Sequence, residues 1–334
     1  MKQCAIPVKV HVISAGKFRR YAHLTFWQHF TVPHIVTKNL VDVFKIGFGF
    51  LQSLWLLLRF RPDIVFAKGG FVCLPLGLAA RLLRIPLVIH DSDTRAGLTN
   101  RVLGKWAQVI ATGSPLENYT YDPERSVYTG VPIDPKFSPK SVDEVRELKR
   151  KIGADSENLL VVATGGGLGA RSINEAMLTC ADDLLARDIS VYHITGKKHY
   201  DSLVNRLPND ERYQAVPFVY EDMDAVLGAA DIVVCRGSAT TLQELAGLAK
   251  ATVIVPAHQL SDQIKNAEVY AAADAGVVVG NRMLEQQPLA LLKVLIELAA
   301  DPAYRETLGV SMHKFAKPQA ATDLAKLIVT ATKR

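Results

Sequence analysis

From residue 62 onward, short apolar runs alternate with helical patterns, and this alternation limits the possible folds more than any other feature. Residues 63–67 and 86–90 are apolar runs of strand length. A Gly69-Gly70 turn and a helical pattern over residues 74–83 lie between them. Strand, turn, helix and strand in this order predict a βαβ unit of a parallel sheet, followed by a further strand at residues 107–112.

A second series of the same kind begins at residue 158. A strand over residues 158–163 leads into a glycine-rich segment, and a helix is predicted over residues 172–186. Further predicted strands are 190–194, 215–219, 231–235 and 252–256, with helices at 223–229, 239–248 and 262–273. The sequence therefore predicts an α/β chain with two tandem doubly wound domains, which bind ligands at the carboxyl ends of their strands.

The boundary between the two series is marked by composition. A Pro- and Gly-rich stretch at residues 129–139 precedes the charged segment 142–151. We predict a first domain over residues 1–137, a linker over 138–156 and a second domain over 157–309. We also expect the C-terminal helix, residues 310–334, to pack back on the first domain. A length of 334 residues fits two domains at roughly 100–200 residues each.

The charge is divided unevenly along the chain. Residues 1–110 contain 15 Lys and Arg but only 4 Asp and no Glu, whereas the remainder contains 24 basic and 29 acidic residues. This division predicts an anionic neighbour for the first domain. Nucleic acid is not expected, because the aromatic residues are not interleaved with Lys and Arg on a recognition element. The four cysteines have no metal-ligand spacing, which indicates reduced thiols in a cytosolic protein.

Residues 46–58 are the longest apolar stretch, and Lys45, Arg59 and Arg61 flank it. The stretch is shorter than the about 20 residues that span a bilayer. It fits either a buried core helix or a helix that dips one face into a membrane surface.

Several polar or glycine-rich segments follow predicted strands. The Gly165–Ala170 loop suits either a phosphate contact or a structural tight turn. Glu244 lies one turn into its predicted helix, where it suits either ribose hydroxyls or a capping box. Gln263 and Asn266 share a helix face, which suits either sugar hydroxyls or solvent.

His90, Asp91 and Asp93 end a strand of the first domain. Adjacent side chains on a strand point to opposite faces, so His90 and Asp91 cannot form a catalytic dyad. At most one of these two side chains faces the cleft, and a core histidine is the alternative for His90.

Taken in order, these segments resemble the MurG family, membrane-surface enzymes that add N-acetylglucosamine to an undecaprenyl-pyrophosphoryl-muramyl-pentapeptide. The resemblance covers nearly the whole chain and is carried by residues 16–21, 68–72, 90–93, 97–100, 165–171, 236–244 and 262–267. It implies the GT-B fold, two Rossmann-like domains separated by a cleft. It also implies UDP-N-acetylglucosamine in the second domain, a lipid acceptor at the first, and a peripheral location on the cytoplasmic side of the cell membrane, whose anionic surface would be a partner.

The resemblance also implies roles for individual residues. Glu244 would hold the ribose, the N-terminus of its helix would face the diphosphate, and Gln263 would contact the sugar. The implied donor-binding set is Asp93, Gly166, Gly167, Ala239, Thr240, Thr241, Glu244, Gln263 and Asn266. The implied acceptor and membrane set is Lys17, Arg19, Arg20, Gly69 and Gly70.

The reaction implied is an inverting transfer in which an acceptor hydroxyl attacks the anomeric carbon and UDP leaves. We expect helix N-termini and backbone amides to stabilise the leaving group. No cofactor is expected to be required, and a divalent metal is optional.

The sequence departs from the family pattern in several places. The opening strand and glycine-rich loop ending in histidine, which holds the usual catalytic base, are missing, so we expect an N-terminally incomplete first domain without its opening βαβ unit. Asp91 and His90 are the stand-in candidates for the base. Gly167-Leu168 replaces a Ser-Gln pair, and Gly237-Ser238 reverses the usual order. The alternatives are another UDP-sugar GT-B enzyme, such as a glycolipid glycosyltransferase or an epimerase, and a catalytically dead UDP-sugar-binding protein at a membrane.

Overall fold

The computed structural model describes residues 8–16, 33–167 and 169–332. Within this part of the chain, every paired strand belongs to one of two parallel sheets, a four-stranded one and a six-stranded one. The two-domain α/β architecture predicted from the alternating pattern is confirmed.

The first sheet has the order β1-β2-β3-β4. Its strands are β1 (Val65–Ala67), β2 (Leu87–Asp91), β3 (Val109–Thr112) and β4 (Ser126–Tyr128). The helices of this domain are α1 (Pro33–Phe60), α2 (Cys73–Leu82) and α3 (Leu98–Leu103). Ile89, Leu103 and Ile110 are fully buried between the sheet and these helices.

The second sheet has the order β10-β9-β8-β5-β6-β7. Its strands are β5 (Leu159–Thr164), β6 (Ile189–Ile194), β7 (Tyr213–Val216), β8 (Ile232–Cys235), β9 (Ala251–Ile254) and β10 (Val277–Val278). The remaining helices are α4 (Val142–Lys151), α5 (Arg171–Leu185), α6 (Tyr200–Leu203), α7 (Met223–Ala229), α8 (Ala239–Leu248), α9 (Ser261–Ala272), α10 (Asn281–Gln286), α11 (Leu289–Ala300), α12 (Pro302–His313) and α13 (Ala320–Thr332). Both faces of this sheet are covered by apolar clusters, so its strands read as continuous apolar runs.

Two segments connect the domains. α4 begins at a Ser141–Glu144 capping box and packs on α7 of the second domain, although it falls within the predicted linker. After α12 the chain returns to the first domain, where α13 contacts β3 and Gly130 lies against Lys317.

The N-terminal part of the described chain differs from expectation. The sequence of residues 8–14 suits a strand, but these residues pair with neither sheet, and the Ser14 N–H donates to Gln52 Oε1 at 2.7 Å. α1 is longer than the apolar stretch of residues 46–58, which lies in its C-terminal half. Among the described residues, α1 is the one helix with a segment, residues 39–60, that is long and apolar enough to cross a membrane, and core helices pass the same test. The apolar stretch therefore underestimated the length of the apolar helix.

The ion pair between Lys149 and Asp231 ties α4 to the second domain and gives a test of its packing. Lys149 is buried, 2.7 Å from Asp231, and also donates to the carbonyl of Asn158. Lys149→Ala should lower the free energy of unfolding by about 2–3 kcal/mol, because it leaves a half-buried carboxylate without its cation. Lys151→Ala, which removes an exposed pair with Asp222, should cost less than about 1 kcal/mol. Urea unfolding compares the two variants, and equal losses would contradict this account.

Candidate functional site: the interdomain cleft

Asn266 on α9 bridges the two domains at the carboxyl ends of their strands. Its Oδ1 accepts from the N–H of Thr94 at 2.8 Å, and its Nδ2 donates to Asp93 Oδ1 at 3.0 Å and to the carbonyl of Gly237 at 2.9 Å. These bonds use both amide protons and one lone pair of a buried side chain. The sequence predicted that Asn266 contacts the donor sugar. Such a contact competes with the hydrogen bonds by which Asn266 bridges the two domains.

Glu244 is a half-buried carboxylate on α8, and it has no hydrogen-bond or ion-pair partner among the described residues. Burial raises the pKa of Glu244 to about 7. The alternative role for Glu244, in a capping box, is not seen in the structure, because no side-chain hydrogen bond caps α8. A carboxylate held without a partner is suited to accept hydrogen bonds from a ligand.

The N-terminus of α8 points backbone donors at the same region. The N-cap residue Ser238 makes no side-chain cap, and the first α8 hydrogen bond runs from Leu242 to the carbonyl of Ser238. The N–H groups of Ala239, Thr240 and Thr241 thus donate to no acceptor in the described chain. Free N–H groups and the positive end of the helix dipole favour an anion.

The glycine loop after β5 turns tightly in front of α5. Gly166 and Gly169 have φ angles of +76° and +77°, and a Cβ on Gly169 would collide with the carbonyl of Thr195. Gly166 and Gly167 are exposed, and a Cβ on Gly167 would touch the ring of Phe218. The loop therefore has open space at Gly166, whereas Gly167 lies against Phe218.

Phe218 belongs to an aromatic pair that sequence reasoning missed. Its ring meets Tyr220 edge to face at 4.9 Å between centroids, and Lys197 Nζ lies over both rings at 4.9 and 4.3 Å. Ring faces and a cation beside a glycine loop suit a nucleotide. The signal in the sequence was weak, because Lys197 is 21 residues away from Phe218.

Arg236, which follows β8, was also missed as a site residue, although it begins the 236–244 segment that carries part of the family resemblance. Its guanidinium donates to Asn281 Oδ1 at 2.6 Å, to the carbonyl of Val255 and to Ser172 Oγ. It makes no ion pair within the described chain, and burial lowers its pKa. A half-buried cation without a carboxylate partner gives this end of the sheet a positive potential.

Gln263 lies at the start of α9. Its Oε1 accepts from the N–H of Ala257 at 3.1 Å, and its Nε2 has no acceptor among the described residues. The bond fixes the orientation of the amide, so that Nε2 remains available as a donor. This arrangement suits the predicted contact with a sugar hydroxyl.

The three polar residues at the end of β2 are placed differently from one another. His90 is fully buried, with Nε2 2.9 Å from the carbonyl of Gly130 and Nδ1 3.3 Å from Ser92 Oγ, and burial lowers its pKa. Asp91 Oδ2 accepts from the hydroxyl of Tyr121 at 2.7 Å and the N–H of Gly97. Only Asp93 reaches across to the second domain. The enclosure of His90 gives it a structural role and weighs against the catalytic role predicted for it.

Burial also raises the pKa of Asp91, to about 6. The acid is therefore mostly ionised at neutral pH, and its predicted catalytic role stays a prediction.

Of the acceptor-side residues, Gly69 and Gly70 lie in the turn between β1 and α2, with φ angles of +91° and +81°. Lys17, Arg19 and Arg20 lie outside the described residues. A Cβ on Gly69 would press on the amide of Asn100, whereas Gly70 faces open space. The double-glycine turn thus leaves its backbone accessible at the cleft edge of the first sheet.

Two family models match this chain. The glycosyltransferase family 28 N-terminal domain matches residues 7–112, and the glycosyltransferase family 28 C-terminal domain matches residues 160–327. Together they cover most of both sheets, and β4 falls between the two matched ranges.

Named relatives match over most of the chain. A UDP-N-acetylglucosamine--N-acetylmuramyl-(pentapeptide) pyrophosphoryl-undecaprenol N-acetylglucosamine transferase from Clostridium kluyveri is 30% identical over 295 residues, 87% of this chain and 77% of the relative. The protein of the same name from Legionella pneumophila strain Paris is 30% identical over 97% of this chain and 83% of the relative. The crystal structure of Acinetobacter baumannii MurG aligns with a TM-score of 0.69 at 26% identity, covering 86% of this chain and 79% of that one.

The unpartnered Glu244 gives a prediction about stability. Its pKa in the folded state lies above the unfolded value of 4.5, so the folded protein loses stability as pH rises from about 4.5 through 7. Glu244→Gln should therefore be more stable than the parent by about 1–2 kcal/mol at pH 8 and equally stable at pH 4. Denaturant unfolding at both pH values checks this, with Glu297→Gln as an exposed control. A destabilised Gln variant at pH 8 would show that the carboxylate has a partner.

Proposed function

The chain belongs to glycosyltransferase family 28, and on that premise we propose that it transfers N-acetylglucosamine from UDP-N-acetylglucosamine to a lipid-linked muramyl-pentapeptide in peptidoglycan synthesis. The fold is GT-B, with the donor assigned to the second domain. The observation that carries the assignment of the donor is the pairing, on one helix, of unbonded N–H groups with the unpartnered carboxylate of Glu244.

Each end of the nucleotide has a matching partner in this arrangement. Glu244 accepts hydrogen bonds from the two ribose hydroxyls, and the α8 N-terminus receives the diphosphate. Phe218 and Tyr220, beside Gly167, flank the base. The nucleotide thus lies along the second sheet, with its sugar directed to the interdomain bridge.

The sugar of the donor then lies between Gln263 and Asp93. The free Nε2 of Gln263 donates to one hydroxyl, and the Asp93 carboxylate accepts from another. An acceptor hydroxyl entering from the first domain attacks the anomeric carbon on the face opposite UDP, which inverts its configuration. Either stand-in base can take the proton at neutral pH, Asp91 as a carboxylate and His90 as a neutral imidazole, and both side chains are buried.

The cleft supplies electrostatic stabilisation for the departure of UDP. Negative charge grows on the diphosphate as the glycosidic bond breaks, and the α8 N–H groups are already oriented towards it. The half-buried cation of Arg236 adds positive potential at the neighbouring strand end. No metal ion takes part in this scheme.

The first domain carries a surface suited to the lipid side of the reaction. Phe50, Leu54 and Leu57 of α1 pack on the domain core. The opposite face of α1 exposes a stripe of apolar residues at helical spacing: Leu40, Phe44, Phe48, Leu51, Trp55 and Leu58. Because the inner face is held on the domain, α1 lies in the plane of the membrane and does not cross it. We place the enzyme peripherally on the cytoplasmic face of the membrane.

Donor binding is tested directly by calorimetry. Glu244→Ala should weaken UDP-N-acetylglucosamine binding by about 10- to 100-fold, because two hydrogen bonds to a charged group are lost. Glu297→Ala, on the surface of the second domain, should bind as the parent does. Unchanged affinity of the Glu244 variant would contradict the ribose assignment.

Membrane contact is tested by sedimentation with vesicles of phosphatidylglycerol and phosphatidylcholine. Phe44→Ser with Phe48→Ser should lower partitioning by more than tenfold, since each exposed ring contributes about 1.5–3 kcal/mol when buried. Val310→Ser with Val329→Ser removes two equally exposed apolar residues elsewhere and should change little. Equal partitioning of both double variants would exclude α1 as the membrane face.

A further inference from the structure

Asn281, at the start of α10, is a buried amide whose hydrogen-bonding positions are all occupied. Its Oδ1 accepts from Arg236 Nη1 and from Ser172 Oγ, both at 2.6 Å. Its Nδ2 donates to Glu285 Oε1 at 2.7 Å and lies 3.0 Å from His258 Nδ1. Because a side-chain amide has two lone pairs and two protons, Asn281 has no capacity left for a ligand. It can contribute to a site only by orienting the side chains around it.

These side chains form a belt across four adjacent strand ends of the second sheet, β10, β9, β8 and β5. Ser172 follows β5, Arg236 follows β8, His258 follows β9 and Asn281 follows β10. In a doubly wound sheet, this carboxyl edge is the one that faces a ligand. The belt also adjoins the donor side of the cleft, because Arg236 lies shortly before the N-cap of α8 and His258 follows the residue whose N–H holds the Gln263 amide.

The partners of Asn281 determine on which nitrogen the imidazole of His258 carries its proton. The guanidinium of Arg236 can only donate, and the carboxylate of Glu285 can only accept, so the two sides of the amide are assigned without ambiguity. His258 Nδ1 faces the amide nitrogen and therefore accepts a proton from it. The neutral imidazole then has its own proton on Nε2. This Nε2–H has no acceptor among the described residues, and the side chain is exposed.

Arg236 keeps one edge of its guanidinium free. Nη1 donates to Asn281 Oδ1 and to the carbonyl of Val255, and Nη2 donates to Ser172 Oγ at 3.3 Å. The Nε–H and the second Nη2 proton have no acceptor in the described chain, and they point in parallel along one edge. Nε is not enclosed, since it is absent from the buried atoms that lack a partner. Two parallel N–H groups of this kind match two oxygens of a phosphate.

We propose that Asn281 is a positioning residue that presents Arg236 and His258 to the diphosphate of the donor nucleotide. The proposal rests on the transferase function proposed above and deepens it. The free edge of Arg236 binds two phosphate oxygens, and the Nε2–H of His258 donates to another, beside the unbonded N–H groups of α8. Glu285, the acidic member of the belt, contacts the opposite side of the Asn281 amide. The donors are thus fixed before the charge on the leaving UDP grows.

Calorimetry with UDP tests the proposal through two substitutions that together conserve the net charge. Asn281→Asp with Glu285→Gln places a carboxylate against Arg236 and an acceptor against His258 Nδ1, and the introduced amide can donate to that carboxylate. This double variant should bind UDP about 10- to 100-fold more weakly than the parent, because the charge of Arg236 is paired and the proton of His258 moves inward.

Glu285→Gln alone is the matched control. Its amide oxygen still accepts from Asn281 Nδ2, so both donors keep their orientation, and this variant should bind UDP at least as tightly as the parent. Equal affinity of the double variant and of Glu285→Gln would overturn the proposal.

NMR spectroscopy separates positioning from a merely structural role. In ¹H–¹⁵N spectra of the neutral imidazole, the ring signals of His258, identified by their loss in His258→Ala, should show the proton on Nε2 in the parent and on Nδ1 in the double variant. Saturating UDP should shift the Nε2 signal of the parent, whereas saturating uridine, which lacks the diphosphate, should leave it in place. The same tautomer in both proteins, or equal shifts with both ligands, would overturn the proposal.

The two proposals fail in different ways. If the parent does not bind UDP-N-acetylglucosamine, the transferase function fails together with the role of Asn281. If the parent binds it and the double variant binds it equally well, only the positioning role of Asn281 is wrong.

Discussion

The hydrogen bonds of Asn266 across the cleft fix the geometry on which the proposed chemistry depends. One amide joins the backbone of Thr94 and the carboxylate of Asp93 in the first domain to Gly237 in the second. Gly237 has no room for a Cβ, because α9 approaches its backbone at Gln263. The distance between the acceptor side and the donor side is thus set by close backbone contacts and by a side chain whose bonding capacity is nearly used up.

Around this bridge, the cleft keeps several polar groups unsatisfied at a cost to stability. Among the residues that the structure describes, Glu244 lacks a partner, the first N–H groups of α8 lack acceptors, and Arg236 lacks a carboxylate. Elsewhere in the second domain, comparable groups are satisfied: Lys149 pairs with Asp231, and His193 bonds to Tyr213 and Asn174. Unsatisfied groups concentrated where a ligand would supply the missing partners are typical of a preorganised site.

The sequence predicted the strands whose continuous apolar pattern results from their burial. β2, β5, β8 and β9 are buried along their whole length or nearly so, and all four were placed to within two residues. β4 and β10 are edge strands of three and two residues, too short for a pattern to show. Of the helices after residue 280, only a C-terminal one was predicted, over residues 310–334, and the structure divides that range between the end of α12 and α13. α10, α11 and the start of α12 were missed because no predicted strand separates them.

The candidate site was predictable where its residues follow strands in sequence, as Glu244 and Gln263 do. It was not predictable where the tertiary fold joins distant segments. Lys197 meets Phe218 and Tyr220 only because neighbouring strands bring their loops together. The burial of His90 follows from its bond to Gly130, a contact across 40 residues that no local pattern contains.

The return of the chain to the first domain after α12 means that two polypeptide segments cross between the lobes, one before α4 and one before α13. A single crossing would act as a swivel, free to twist as well as bend. Two crossings side by side define an axis, and they restrict relative motion to bending about it. Opening of the cleft is then a one-dimensional rocking movement, which can separate Asp93 from Asn266 while Gly130 and Lys317 stay together near the axis.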